Sequence, residues 1–467
     1  MAGLAWLDKR WGTILKVAGL VGELGLLPRL GKVSLKLLLV LEIAFAGVYL
    51  SFTRNLFVIY LASMGFDIAG ISLMFVAATL ASSILSIILY RFPSFLVKKV
   101  KPKFLLFHAG ERIFWIPMVF FKDMGMIAFL YALINLSSTM LGSFMNLLIY
   151  SSFDEAGIRD VTAKRTAAYN VTSIIGSLAA IFFLAILPSD LKFLTLFILG
   201  SMVGLLSTLM LAFANMRHLE GAEIPRAIER PEQMFSVSAF FLAFLASGNL
   251  LGIFWAPYLM SVLHAPDYLA AAMNFAATVS SIVGSLLWAK RSLKTFRIAL
   301  GMSMLTPLAA FLIPIPIAHV GISAFNGLMG TGASFLGNFL FARYLKEFGI
   351  VRSSIMMTIL GNLAQLLATP FGIFFGQRYL ILFASVMAMI IVSLLMAFLT
   401  IPEVAIVPEH VARTYSYLIY SNSIAGYAYA VETSKETIIL SFRLLALAII
   451  LIILYIIYRF IFFLAGL

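Results

Sequence analysis

The chain has no cysteine, and of its 467 residues only 5 are histidine and only 11% carry a formal charge. Without cysteine there can be no disulfide, thiol nucleophile, iron–sulfur cluster or thiolate zinc site. His108, His218, His264, His319 and His410 are scattered, with no spacing that sets two metal ligands on one helical face. No convergent group of His, Asp and Glu marks a catalytic centre, so neither an enzyme nor a metal or cofactor is expected. The shortage of charge excludes a soluble domain of this length, which carries about 25% charged residues.

Apolar length is what the chain has instead. Hydrophobic residues make up 62% of it, and runs of the roughly 20 residues that cross a bilayer recur from end to end. The pattern predicts an all-α membrane protein with spans near 37–63, 68–90, 104–121, 125–150, 166–187, 192–214, 236–262, 267–289, 297–314, 316–342, 353–376, 379–401 and 437–465. Residues 1–36 are read as an amphipathic leader on the inner membrane surface, because Trp6, Trp11, Ile14, Leu15 and Val17 alternate with Lys9, Arg10 and Lys16 and no cleavage site follows. The remaining divisions are a six-helix half at 37–214, a cytoplasmic linker at 215–235, a second half at 236–401, a cytoplasmic segment at 402–436 and an extra helix at 437–467.

The net charge of +13 is organised by position. With the N-terminus in the cytoplasm, 27 Lys and Arg fall on the inner side and 4 on the other, leaving Arg54 and Arg112 within spans. Charge placed in this way anchors a topology, so no nucleic-acid partner is expected. The reading puts the protein in a cell membrane, with the C-terminus outside.

The sequence also repeats. Ala77-Ala78-Thr79-Leu80-Ala81-Ser82 recurs as Ala276-Ala277-Thr278-Val279-Ser280-Ser281, Tyr60-Leu61-Ala62-Ser63 as Tyr258-Leu259-Met260-Ser261, and Leu141-Gly142-Ser143-Phe144 as Leu336-Gly337-Asn338-Phe339, all at offsets between 195 and 199. Two parallel six-helix repeats with a long central connection resemble the major facilitator superfamily over roughly residues 37–401. The family's loop between its second and third helices normally carries an Asp and two glycines. Here it reads Arg91-Phe92-Pro93-Ser94-Phe95-Leu96-Val97-Lys98-Lys99, basic but without them, and the second copy, Gly284-Ser285-Leu286-Leu287-Trp288-Ala289-Lys290-Arg291, also lacks the Asp. The resemblance implies an alternating-access secondary transporter with a cavity between its halves.

Polar side chains inside a bilayer mark such a cavity or an interhelical contact. Arg54 and Asn55 in the first span, Asn135 and Asn146 in the fourth, Asn249 in the seventh and Asn326 and Asn338 in the tenth occupy helices that line the cavity in the resembling family. Asn170, Asn274, Asn362 and Gln365 add to the fifth, eighth and eleventh spans. Trp255, beside Pro257, sets a large ring and a helix-weakening residue on the seventh. Arg54 is the costliest residue to insert, at about 2.5–3.5 kcal/mol, and its planar fork of donors suits a carboxylate or phosphate. Some organic-anion carriers of the family use an arginine there with a second in the seventh helix, where the repeat offset finds Gly252. Glu42, Glu111 and Arg112 are the coupling or gating candidates, adjacency on a helix turning Glu111 and Arg112 about 100° apart. Gly327, Gly330 and Gly332 read as a close helix contact.

The reading is therefore a secondary transporter of a small anionic or amphipathic solute, surrounded by membrane lipid. Its alternatives are a lipid or lipid-linked precursor translocase and a non-transporting subunit that docks a protein partner through 402–436 and the thirteenth helix.

Overall fold

The scarce acids of the chain start its helices. Asp67, Asp123 and Asp154 each accept a backbone N–H three residues on, from Gly70, Met126 and Gly157 at 2.7, 2.8 and 2.9 Å. In this computed structural model the described residues are 34–221, 232–288, 291–348 and 350–426, with short stretches at 428–429, 432–436 and 439–440. Nearly all of the leader and of the thirteenth predicted span lie outside them.

The helices are α1 (Leu35–Ser63), α2 (Ile68–Arg91), α3 (Val100–Ile113, continued by Trp115–Met118), α4 (Met124–Ser152), α5 (Glu155–Ile186), α6 (Lys192–Ala212), α7 (Glu232–Ser261), α8 (Asp267–Trp288), α9 (Leu293–Leu312), α10 (Ala318–Phe348), α11 (Ile350–Phe375) and α12 (Tyr379–Thr400). Among the described residues there is no strand, and ten helices are long and apolar enough to cross a membrane. Their faces are inverted relative to a soluble bundle. In α2, Ser72, Thr79, Ser82 and Ser86 are buried while Leu73, Leu80, Ile84 and Ile87 are exposed. Polar inward and apolar outward is stable only when hydrocarbon surrounds the bundle.

Two helices break for a stated chemical reason. A proline ring clashes with the carbonyl four residues back, so α3 stops at Ile113 before Pro117 and α9 at Ser303 before Pro307. Pro257, read from sequence as helix-weakening, leaves α7 unbroken. The first predicted span is not the continuous helix expected. It is interrupted at Thr53 (φ −120°, ψ −86°) and passes through a 3-10 turn at Arg54–Leu56 before resuming at Phe57–Ser63. Thr53 Oγ1 donates to Tyr49 O at 2.7 Å, and α6 comes so close that a Cβ on Gly200 would lie 2.9 Å from both Phe52 and Thr53.

Three apolar clusters organise the interior. One joins residues of α1 to α12 around Phe57, Trp115, Phe197, Phe254 and Phe383 at the end of the bundle that carries the α1–α2 and α7–α8 connections. At the other end the core divides: one cluster, around Phe104 and Phe144, belongs to α1–α6 apart from Ile355, and the other, around Phe240 and Phe296, belongs to α7–α12 and the turn after it. The first six helices meet the last six chiefly where α2 packs on α11 and α5 on α8. Beyond α12 the chain folds back, Arg297 Nε donating to Val404 O at 2.7 Å and Ser416 Oγ lying 2.8 Å from Ser236 Oγ.

Candidate functional site

Beneath the break in α1, buried ionic groups from three helices meet. Glu42 is the first. Arg165 Nη1 on α5 donates to its Oε2 at 2.8 Å and to Leu39 O at 2.8 Å, and His108 Nε2 on α3 lies 3.3 Å from its Oε1. His108 Nδ1 is held 2.7 Å from Thr208 Oγ1 of α6. Arg112 Nη1 binds Glu111 Oε2 and donates to His108 O at 3.1 Å, while its Nη2 stands 4.0 Å from Glu42 Oε1. Its guanidinium also sits 5.0 Å from the ring centroid of Tyr49. A chain of neutral donors fixes the top: Trp115 Nε1 donates to Tyr49 Oη at 2.7 Å, and Tyr49 Oη to Glu111 O at 3.1 Å.

Arg54 closes the network, with Nη2 3.5 Å from Glu111 Oε1. The two neighbours Glu111 and Arg112 reach different partners, Arg54 and Glu42, and also bind each other. The arginine stem is long enough to curl back along its own helix, and the pair acts as one unit between Glu42 and Arg54. The balance is uneven, three guanidiniums against two carboxylates. Arg54 Nε and Nη2 are buried without a hydrogen-bond partner, although 34% of the side chain is exposed. Glu111, Tyr131, Tyr49 and Tyr169 are its electrostatic neighbours. Tyr169, together with Asn146, Arg165 and Thr166, lines a cavity of about 410 Å³ within the first six helices.

Directly at the break, Asn274 of α8 donates Nδ2 to Asn55 O at 2.9 Å, a bond between the two sets of six helices. Asn135 spends its amide on Tyr131 O of its own helix at 2.8 Å. Trp255 is buried and donates Nε1 to His319 Nδ1 at 2.9 Å, and His319 Nε2 reaches Ile313 O at 3.0 Å. That arrangement makes His319 the Nε2–H tautomer and Trp255 a tie between α7 and α10. Asn249 and Asn326 do share a cavity, of about 420 Å³, but every residue lining it comes from α7 to α12. Among the described residues the candidates thus form an ionic group around Arg54 and a neutral one around Asn249 and Asn326.

Sequence reasoning missed His108 and Arg165 as site residues, and it named Asn274 only among the polar groups of the eighth span. His108, Glu111 and Arg112 have the i, i+3, i+4 spacing that puts three side chains on one face, a signal that was available. Arg165 was counted among the cytoplasmic anchors, yet it is largely buried against Glu42. Among the described residues no group of three His, Cys, Asp or Glu could hold a metal ion.

No family model matches the chain, and no curated protein matches its sequence. Its fold does match solved transporters. A variant of the nucleoside transporter NupG aligns with a TM-score of 0.59 at 13% identity, covering 78% of this chain and 100% of that one. A bacterial metal transporter gives 0.54 at 14% identity over 78% and 98% of the two chains. A bacterial homologue of the human lysosomal transporter Spinster, inward-facing and unoccupied, gives 0.51 at 13% over 83% and 96%. The chain is a multi-pass membrane protein built on the all-helical fold these transporters share.

Proposed function

We propose that the protein is an alternating-access secondary transporter of a small solute that carries an anionic group, and that Arg54 contacts that group. One observation carries the reading: a guanidinium with unfilled donors, in a network with an excess of positive charge, stands at the break of α1 where the two sets of helices touch. An arginine in hydrocarbon persists where an anion, a carboxylate or water meets it, and among the described residues the only carboxylate within reach is already held by Arg112.

Twelve spans in two parallel repeats are supported by three correspondences. Gly65 (φ 85°) and His264 (φ 53°), both left-handed, follow α1 and α7 at an offset of 199. Proline breaks recur in α3 and α9. The α2–α11 and α5–α8 contacts exchange under a shift of six helices. With the basic connections in the cytoplasm, the shared core closes the outer end and the divided cores open the inner one, an inward-facing arrangement. The protein belongs, on this reading, in a cell membrane with its N-terminus inside.

Proteoliposomes containing the purified protein test the proposal by counterflow of organic anions. Saturable flux is expected in the parent, weakened in Arg54→Lys, which keeps the charge but loses the fork, and abolished in Arg54→Gln. Saturable flux that Arg54→Gln leaves untouched removes the anion contact. Flip of fluorescent lipid with no saturable solute flux removes the solute transporter altogether.

A further inference from the structure

The cavity within α7–α12 is unlike the ionic group. No charged residue lines it, yet polar side chains surround it. Some of these satisfy themselves: Ser247 donates to Phe244 O at 2.7 Å, Ser303 to Ala299 O at 2.8 Å and Thr331 to Gly327 O at 2.7 Å, each bonding back along its own helix. Others do not. Thr306 is 1% exposed and its Oγ1 has no partner, and among the described residues the amides of Asn249 and Asn326 make no hydrogen bond. A threonine in a helix ordinarily uses the carbonyl one turn back, so an orphaned hydroxyl beside two free amides is a set of donors and acceptors left for something that enters.

We infer that this cavity binds the uncharged body of the transported solute, so that the solute is an organic anion whose remainder carries several hydroxyl or amide groups. The inference rests on the Arg54 reading for the anionic end and adds the chemistry of the other. At about 420 Å³ the cavity has the size of a small-molecule site. Water that fills a polar cavity of this kind is replaced without loss only by groups that reproduce its hydrogen bonds, which hydroxyls and amides do and alkyl chains do not. One face of α8 links the two regions. Asn274, bonded to the α1 break, is followed at i+3 and i+7 by Ala277 and Ser281, which line the cavity. Gly330, also in the lining, has nothing within 4 Å of where a Cβ would stand, so a side chain introduced there enters the open space without displacing a helix.

The test uses full-length protein in detergent and in proteoliposomes, reading thermal stabilisation and competition for flux. The probes are inorganic phosphate, hydroxyl-rich anions (gluconate, glycerol phosphate, a hexose phosphate, a nucleoside monophosphate) and apolar anions (benzoate, octanoate). At least one hydroxyl-rich anion is expected to bind about tenfold or more tightly than either apolar anion. Asn249→Ala with Asn326→Ala, and separately Gly330→Leu, are expected to remove that preference while leaving inorganic phosphate binding unchanged. Arg54→Gln is expected to weaken every anion. Apolar anions that bind as well as hydroxyl-rich ones, cavity variants that lose nothing, or no binding by any hydroxyl-rich probe each overturn the inference. Loss of hydroxyl-rich binding in the cavity variants with no effect of Arg54→Gln sinks the Arg54 contact and leaves the cavity as a site for an uncharged solute.

Discussion

Arg54 and Glu42 occupy the two ends of one buried network, and their substitution separates function from stability. Removing one member of a buried pair leaves the other charge uncompensated, at about 3–5 kcal/mol. Glu42 faces Arg165, His108 and Arg112, so Glu42→Gln strands guanidinium charge inside the bundle. We expect it to lower the thermal unfolding midpoint in detergent markedly and to reduce the yield of monodisperse protein. Arg54→Gln leaves Glu111 still bound to Arg112, so the midpoint should move by far less than in Glu42→Gln while anion flux is lost. A midpoint for Arg54→Gln as low as that of Glu42→Gln would make Arg54 a structural ion rather than a contact. At this scale the sequence was informative about which residues are costly and silent about what satisfies them. The cost of Arg54 and the scarcity of span-interior acids could be read from composition, because hydrocarbon penalises charge regardless of fold. That Arg165 reaches Glu42 could not, since a basic residue just ahead of the predicted fifth span also serves as an anchor.

The close contact of α8 with α10 depends on single glycines. A Cβ on Gly327 would meet the backbone of Ala277, with its Cα 2.8 Å away, and Ser281 Oγ donates to Gly327 O at 3.2 Å across the same contact. Backbone atoms cannot move aside as a flexible side chain can, so Gly327→Ala should destabilise by about 1–3 kcal/mol, the usual range for overpacking. Gly330→Ala, three residues on and in open space, should be neutral or slightly stabilising because alanine is the better helix former. Parallel thermal melts of the two variants check this, and equal losses would mean that α8 and α10 are not held at this distance by Gly327. The glycine run itself was legible as a close contact, but which glycine touches and which opens a cavity depends on helix rotation, which no spacing rule fixes. The break in α1 was equally hidden. Pro117 and Pro307 announce the ends in α3 and α9, whereas Thr53 is distorted by α6 pressing through Gly200, a tertiary cause that leaves no local mark.

At the scale of the whole molecule, a buried ion pair fastens the two sets of helices at the end that carries the α1–α2 and α7–α8 connections. Lys192 at the start of α6 binds Asp267 at the start of α8 at 2.9 Å, both side chains mostly buried, and Asn274 reaches the α1 break from the same helix. Asp267, Ala271 and Asn274 recur at i, i+4 and i+7, so Ala271, itself buried, lies on the face of α8 that meets the first six helices. If this seam parts during alternating access, weakening the ion pair must raise the population of the state in which it is open, by tenfold for each roughly 1.4 kcal/mol removed. The absence of native cysteine gives a clean reporter. A thiol introduced by Ala271→Cys should react slowly with a membrane-impermeant maleimide in the parent background and several-fold faster when Asp267→Asn is added, and a saturating transported anion should change both rates. Identical labelling in the two backgrounds would show that the seam does not open there, and the closed end would then be a fixed part of the fold instead of a gate.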